Sequence, residues 1–399
     1  MRVDISKVLV YIYILLLAIT PAIFLGEGNR NLLLIGAMGI SPIVFLFKPG
    51  LIPKVDLPLL SICFMMIFFP AIFHYETIRW STVLYSCMFC LFFMSFVRVL
   101  MFSSFTLDNF QQLLRGLLYA YCVVLIIQQV CVLFGLPIFN VSNYSILDPW
   151  KLNSLSPEPS HSARMIAVIM CIYLTIQIEI NKEYTLSQSW KESKKPWFAF
   201  LYSAITMGSG TALFLMFLTI TRLISLKRLS SFILVALVMV VLLFAFSENK
   251  TMERVRKTFI ATLSLNEQEI IEADHSASFR IVPNIQGAKA VKIRSLDDFV
   301  GHGVDADTRL IEPLPSVEKG NAGGFTMWIN YGVIAQLIWW FFTLSICFGS
   351  IRHVLSLFIW FFCIFSYGGL NSQIVWFTLV VFWVYGQLKT QRLGALSNL

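Results

Sequence analysis

The chain has 399 residues, of which 57% are hydrophobic and only 13% charged, with a formal net charge of +8. That balance excludes an ordinary soluble domain, where roughly a quarter of residues are charged. It also excludes a nucleic-acid footprint as the source of the charge, because the basic residues stand mostly in short connectors between apolar runs.

Apolar runs at 8–25, 31–47, 57–73, 82–101, 115–136, 163–180, 197–208, 211–224, 230–246, 324–347, 354–368 and 370–386 predict an all-α integral membrane protein with about twelve transmembrane helices. Helices are required, since a backbone facing lipid must satisfy its own hydrogen bonds and the runs lack the alternation of barrel strands. The first run follows Arg2 and Lys7 without a small-residue cleavage site, so it reads as a retained helix and not a signal peptide. All eight cysteines lie in apolar runs. Cys87 and Cys90 have the spacing of a metal pair but no polar ligands beside them, so packing is their expected role.

Residues 197–221 allow either one tilted span or two short helices meeting at Gly208-Ser209-Gly210. Charge bias selects the second. With the break, Lys191, Lys194, Lys195, Arg222, Lys227 and Arg228 join Lys7, Lys54, Arg98, Arg352 and Lys389 on one side, leaving Arg30, Arg79, Lys151 and Arg164 opposite. The positive side is cytoplasmic, and both termini fall there. The interiors of the spans are nearly free of ionisable groups, which counts against an ion-coupled transporter. Arg98, Arg164 and Glu179 fall near span ends, where long side chains reach the interface.

One polytopic domain, 1–399, is therefore expected, with a smaller outer loop at 137–162 and a large polar loop at 247–323. The smaller loop holds Glu158 and His161. In the larger, Arg280 precedes a segment, 281–293, whose Val282, Ile285, Ala288 and Val291 recur at helical spacing. The expected element is an amphipathic helix near the membrane surface with Lys289 and Lys292 on its polar side. Pro283 fits only its first turn. Arg280, Lys289, Lys292 and Arg294 can hold a pyrophosphate between lipid and sugar, as arginine does bidentately. Gly301-His302-Gly303 is a turn in which two glycines permit close approach to a ligand. The same basic residues equally suit anionic lipid headgroups or a solvated loop surface.

This layout resembles the Wzy-type O-antigen polymerases and the wider O-antigen ligase and polymerase superfamily of bacterial inner membranes. Four segments, in order, carry the resemblance: Glu158-Pro159-Ser160; Met207-Gly208-Ser209-Gly210-Thr211; Ser278-Phe279-Arg280 followed by Gly301-His302-Gly303; and Asn330-Tyr331-Gly332-Val333-Ile334. Gly210 stands where the family often has arginine. Gly320-Asn321-Ala322 stands where ligases typically carry a histidine, which favours polymerase over ligase. The resemblance implies periplasmic glycosyl transfer without metal or cofactor, from undecaprenyl-pyrophosphate-linked glycan to a fresh lipid-linked repeat unit. It implies Arg280 as the main pyrophosphate clamp, Arg294 and Arg309 assisting, and Glu158 or His161 as base. Expected partners are the undecaprenyl-pyrophosphate-linked oligosaccharide and membrane lipid, with a chain-length regulator protein as a candidate. A ligase, or a flippase that binds similar ligands without chemistry, is the alternative.

Overall fold

The computed structural model describes residues 4–20, 31–47, 50–141, 146, 148–181, 185–223, 250–315 and 319–397. Among them no strand occurs. The helices in chain order are α1 (Ile5–Ala18), α2 (Leu32–Phe47), α3 (Pro53–Phe73), α4 (Trp80–Met101), α5 (Leu107–Leu133), α6 (Pro159–Ile180), α7 (Leu186–Glu192), α8 (Lys194–Thr206) and α9 (Gly210–Ile220). In the second half follow α10 (Lys250–Ser264), α11 (Glu267–Ala273), α12 (His275–Ala290), α13 (Leu296–Val300), α14 (Asp307–Leu310), α15 (Thr326–Ser350), α16 (Val354–Cys363) and α17 (Gln373–Ser397). Five helices, α3, α4, α5, α6 and the one through α15, are long and apolar enough to cross a membrane. Shorter apolar helices lie at Ile5–Ala18, Leu32–Leu46, Gly210–Leu223 and Val354–Tyr367. The expected span at 230–246 lies outside the described residues.

Burial separates centre from periphery. The most apolar windows of α4 and α6 are each 78% buried, against 33% for α3 and 39% for α5. A helix apolar on every side must be covered on every side or face lipid, and α4 is covered by α17 and α15: Phe89 stacks on Trp376 and Phe93 meets Phe342 edge-on. Helix starts follow local chemistry. Thr106 and Asn109 form a capping box, so α5 begins at Leu107 and not near 115. Pro159 occupies the first turn of α6, where its missing N–H costs nothing.

Side-chain ties sort the connectors into two ends of the bundle. At one end Thr20 bonds Gln373 and His74 Nε2 donates to the Gly301 carbonyl at 2.7 Å. The connector of α8 and α9 belongs to the same end. Gly208, at φ +66°, has its α-carbon face within van der Waals reach of the Lys151 backbone. The two short helices expected around Gly208-Ser209-Gly210 are thus present. At the opposite end Asp4 accepts from Ser104, Arg222 Nε donates to Thr175, and Lys389 pairs with Glu179 at 2.9 Å.

That second end also holds a feature hydropathy does not reveal. Arg98, 2% exposed, donates bidentately to Asp56, 0% exposed, with N–O distances of 3.0 and 2.7 Å. It also donates to the carbonyls of Met94 and Gly50, and its guanidinium lies 4.2 Å from the Phe45 ring centre. Arg98 therefore does not reach for the interface, as its place near a span end suggests; it locks α4 to the start of α3.

The large polar region is helical and docked on the first end. Its inner core is small, formed by Ala261, Ile270, Val282 and Leu314. α12 begins at His275, ahead of Arg280, because Asp274 accepts the Ala277 N–H and nucleates the first turn earlier than the apolar spacing indicates. Pro283 thus lies inside the helix, and of the expected apolar side Val282 is fully buried and Ile285 half-buried, while Ala288 is exposed and Val291 lies past the helix end. The region's other attachment is a break in α15. Gly332, at φ +88°, interrupts the helix, and a β-carbon there would fall 1.9 Å from the Phe299 carbonyl oxygen. The carbonyl of Ile329 accepts the His302 N–H at 2.8 Å.

Candidate functional site

The two outer loops meet at the head of α6. Glu158 is its N-cap in extended conformation, but its side chain makes no capping bond, which leaves the carboxylate for other contacts. Glu158 Oε2 accepts from the Ser160 hydroxyl at 3.3 Å, and Ser160 Oγ accepts from Arg280 Nη2 at 2.7 Å. Arg280 and Glu158 are 3.9 Å apart, with side chains 25% and 47% exposed. Asn284 fixes this end of α12. Its Nδ2 donates to the Arg280 carbonyl at 2.6 Å and its Oδ1 accepts the Gly324 N–H at 2.8 Å.

One turn below Ser160 on the same face of α6 stands Arg164, only 2% exposed. It donates to the Tyr367 hydroxyl, and its guanidinium carbon is 4.6 Å from the Tyr367 ring centre. Its Nε is buried without an acceptor among the described residues. His161 meets the same tyrosine edge-on, ring centres 5.3 Å apart. Burial pushes the Arg280 guanidinium below its usual pKa, and the charge of Arg164 pushes it further the same way; Tyr367, Glu158 and Asp274 oppose this. Two guanidinium groups gathered at one partly buried spot repel each other. An anion placed between them would relieve both the repulsion and the orphaned Nε–H.

Of the residues singled out from sequence, Arg280, Glu158 and His161 are brought together, around Tyr367. Lys289 instead pairs with Glu267 at 2.7 Å on the loop's own surface. Lys292 and Arg294 are exposed beyond the end of α12, where the Arg294 N–H donates to Asp298, and Arg309 is exposed with Nη2 3.4 Å from the Val304 carbonyl. Gly301, at φ +86°, does make a close approach, but to the Asn330 backbone; a β-carbon would lie 2.3 Å from its oxygen. Gly303 packs on His74, and His302 lies 3.7 Å from Asp298. These three residues join the loop to the scaffold.

Beside the cluster is a cleft of about 330 Å³ lined by Phe279 and Pro283 of α12, Asp307 of α14, Thr326 at the head of α15, and Tyr367. Asp307 is buried there. Its Oδ1 accepts from Asn330 Nδ2 at 2.9 Å and its Oδ2 from the Thr326 hydroxyl at 3.4 Å. Burial raises its carboxyl above the usual carboxylate pKa. Sequence reasoning missed Arg164, Tyr367 and Asp307 as site residues. The interval of four from Ser160 to Arg164 was a usable signal, since it places both on one helix face. Tyr367, at the end of an apolar run, carries none. Among the described residues no group of His, Cys, Asp and Glu is arranged to hold a metal ion. No family model, curated protein or solved structure matches the chain.

Proposed function

We propose that the chain is a polysaccharide polymerase of the bacterial inner membrane, a glycosyltransferase that moves a polyprenyl-pyrophosphate-linked glycan onto the free hydroxyl of a lipid-linked repeat unit. The observation that carries this reading is the meeting of Arg280 from the large loop with Arg164, Tyr367, Ser160 and Glu158 at one end of an apolar bundle. In the proposed topology the chain crosses twelve times, with both termini in the cytoplasm and the docked polar region outside. The segregation of Arg222, Lys389 and Arg98 to the end opposite Arg280 supports that orientation.

In the transfer, the bond from the anomeric carbon to the pyrophosphate breaks as the acceptor oxygen attacks. Negative charge develops on the departing pyrophosphate, and in this reading Arg280 and Arg164 hold it. Glu158, through Ser160, keeps the Arg280 guanidinium aimed. Glu158→Gln is expected to slow chain extension roughly tenfold at unchanged protein level, the equivalent of about 1.4 kcal/mol in barrier height. An unchanged rate would return Glu158 to a purely structural role. Deleting the chain tests the reading as a whole. Cells lacking it are expected to carry lipopolysaccharide with a single repeat unit, whereas lipopolysaccharide bearing no repeat would point to ligase or flippase.

A further inference from the structure

The cleft next to the arginine cluster has the chemistry of a sugar site. Phe279 and Tyr367 line it with aromatic rings and Asp307 with a buried carboxylate, while Gln286, Asn321 and Thr308 bring amide and hydroxyl groups already steadied by Glu267, Gly323 and Asp305. Aromatic faces cover the C–H faces of a pyranose while amides and carboxylates bond its hydroxyls. The cleft's volume of about 330 Å³ accommodates one or two such rings. It also adjoins the anion site. Tyr367 lines it while bonding Arg164, and Phe279 and Pro283 flank Arg280 in sequence on α12.

We propose that this cleft is the acceptor-sugar subsite and that Asp307 takes the proton from the attacking hydroxyl, an assignment that rests on the glycosyltransferase reading above. Asn330 anchors Oδ1, the Thr308 N–H and the long contact to the Thr326 hydroxyl steady the carboxylate, and in this assignment Oδ2 receives the proton. The acceptor O–H gives its proton to Oδ2 and its oxygen forms the new bond to the anomeric carbon. The old bond's electron pair leaves with the polyprenyl pyrophosphate beside Arg280 and Arg164, and Asp307 then releases the proton to water. A carboxylate sheltered from water and held by an amide donor is suited to this, because a base works best when its pKa lies close to the working pH.

The test uses full-length protein in lipid nanodiscs and the undecaprenyl-pyrophosphate-linked oligosaccharide that accumulates in cells deleted for this chain. Asp307→Asn is expected to lower kcat at least about 100-fold, the lower bound for losing a general base, with KM for the acceptor changed less than about threefold. It is also expected to flatten the acid limb of the wild-type pH profile, since Asp307 acts only when ionised. If Asp307→Asn extends chains within threefold of wild type while Arg280→Ala is inactive, the cleft assignment is overturned and the polymerase reading stands. A wild-type protein that extends no lipid-linked oligosaccharide overturns both. Should Asp307→Asn not reach the membrane, Thr308→Trp decides. It fills the cleft from its rim, and the acceptor KM must rise at least tenfold; an unchanged KM rejects the subsite.

Discussion

Replacing Arg280 with alanine is expected to abolish long-chain polysaccharide while the protein remains in the membrane at its normal level. Losing one preorganised donor to a developing oxyanion costs roughly 10²- to 10³-fold, and Arg280 supplies a whole charge in addition to its hydrogen bonds. The fold is expected to tolerate the change. α12 is held by the Asp274 cap, by Asn284 and by the buried Val282, all of which the alanine variant keeps. Arg280→Lys keeps the charge but not the planar fork, and is expected to recover only a minor part of the rate. The readout is the chain-length ladder on a gel beside an immunoblot of the membrane fraction. A normal ladder from the alanine variant would remove Arg280 from the site.

The largest effect on stability is expected at the other end of the molecule, from Asp56→Ala. Arg98 would keep its charge in a place 2% exposed with its bidentate partner gone, and breaking a buried pair from one side costs about 3–5 kcal/mol. Thermal unfolding in detergent and the yield of membrane-inserted protein both report it. The double change Asp56→Leu with Arg98→Met removes both charges together and is expected to recover most of the loss, because an apolar pair of similar volume avoids the desolvation of two ions. If Asp56→Ala melts like the wild type, the pair is not the lock described.

Much of the architecture was legible because hydropathy and glycine placement report local physics directly. The polar region at 247–323 and the interruption at Gly208 follow from residue type and order, whereas Glu158 and Arg280 were singled out separately and their meeting through Ser160 was not foreseen. What was not legible depends on partners distant in sequence. Arg98 and Arg164 read as interfacial by their position along a span, yet each is buried because a residue far away receives it: Asp56 in one case, Tyr367 in the other. The start of α12 was misplaced for a local reason, since apolar periodicity marks the covered stripe of a helix and not its cap, here Asp274. The Gly301 and Gly303 conformations were legible as tight turns, but sequence does not say whether a ligand or the chain's own backbone fills the space beside them.

The 13 residues of α8 rise only roughly 20 Å at 1.5 Å per residue, against a hydrocarbon layer of about 30 Å. Starting at Lys194, that helix is about a third too short to span such a layer, and the Trp150–Lys151 backbone meets the Gly208 turn that follows it. The bundle is therefore low at that point, like a sunken threshold. On the proposed function, a polyprenol tail would slide across that step sideways with its carbons staying in oil, and only the sugar end of each substrate would have to rise into water.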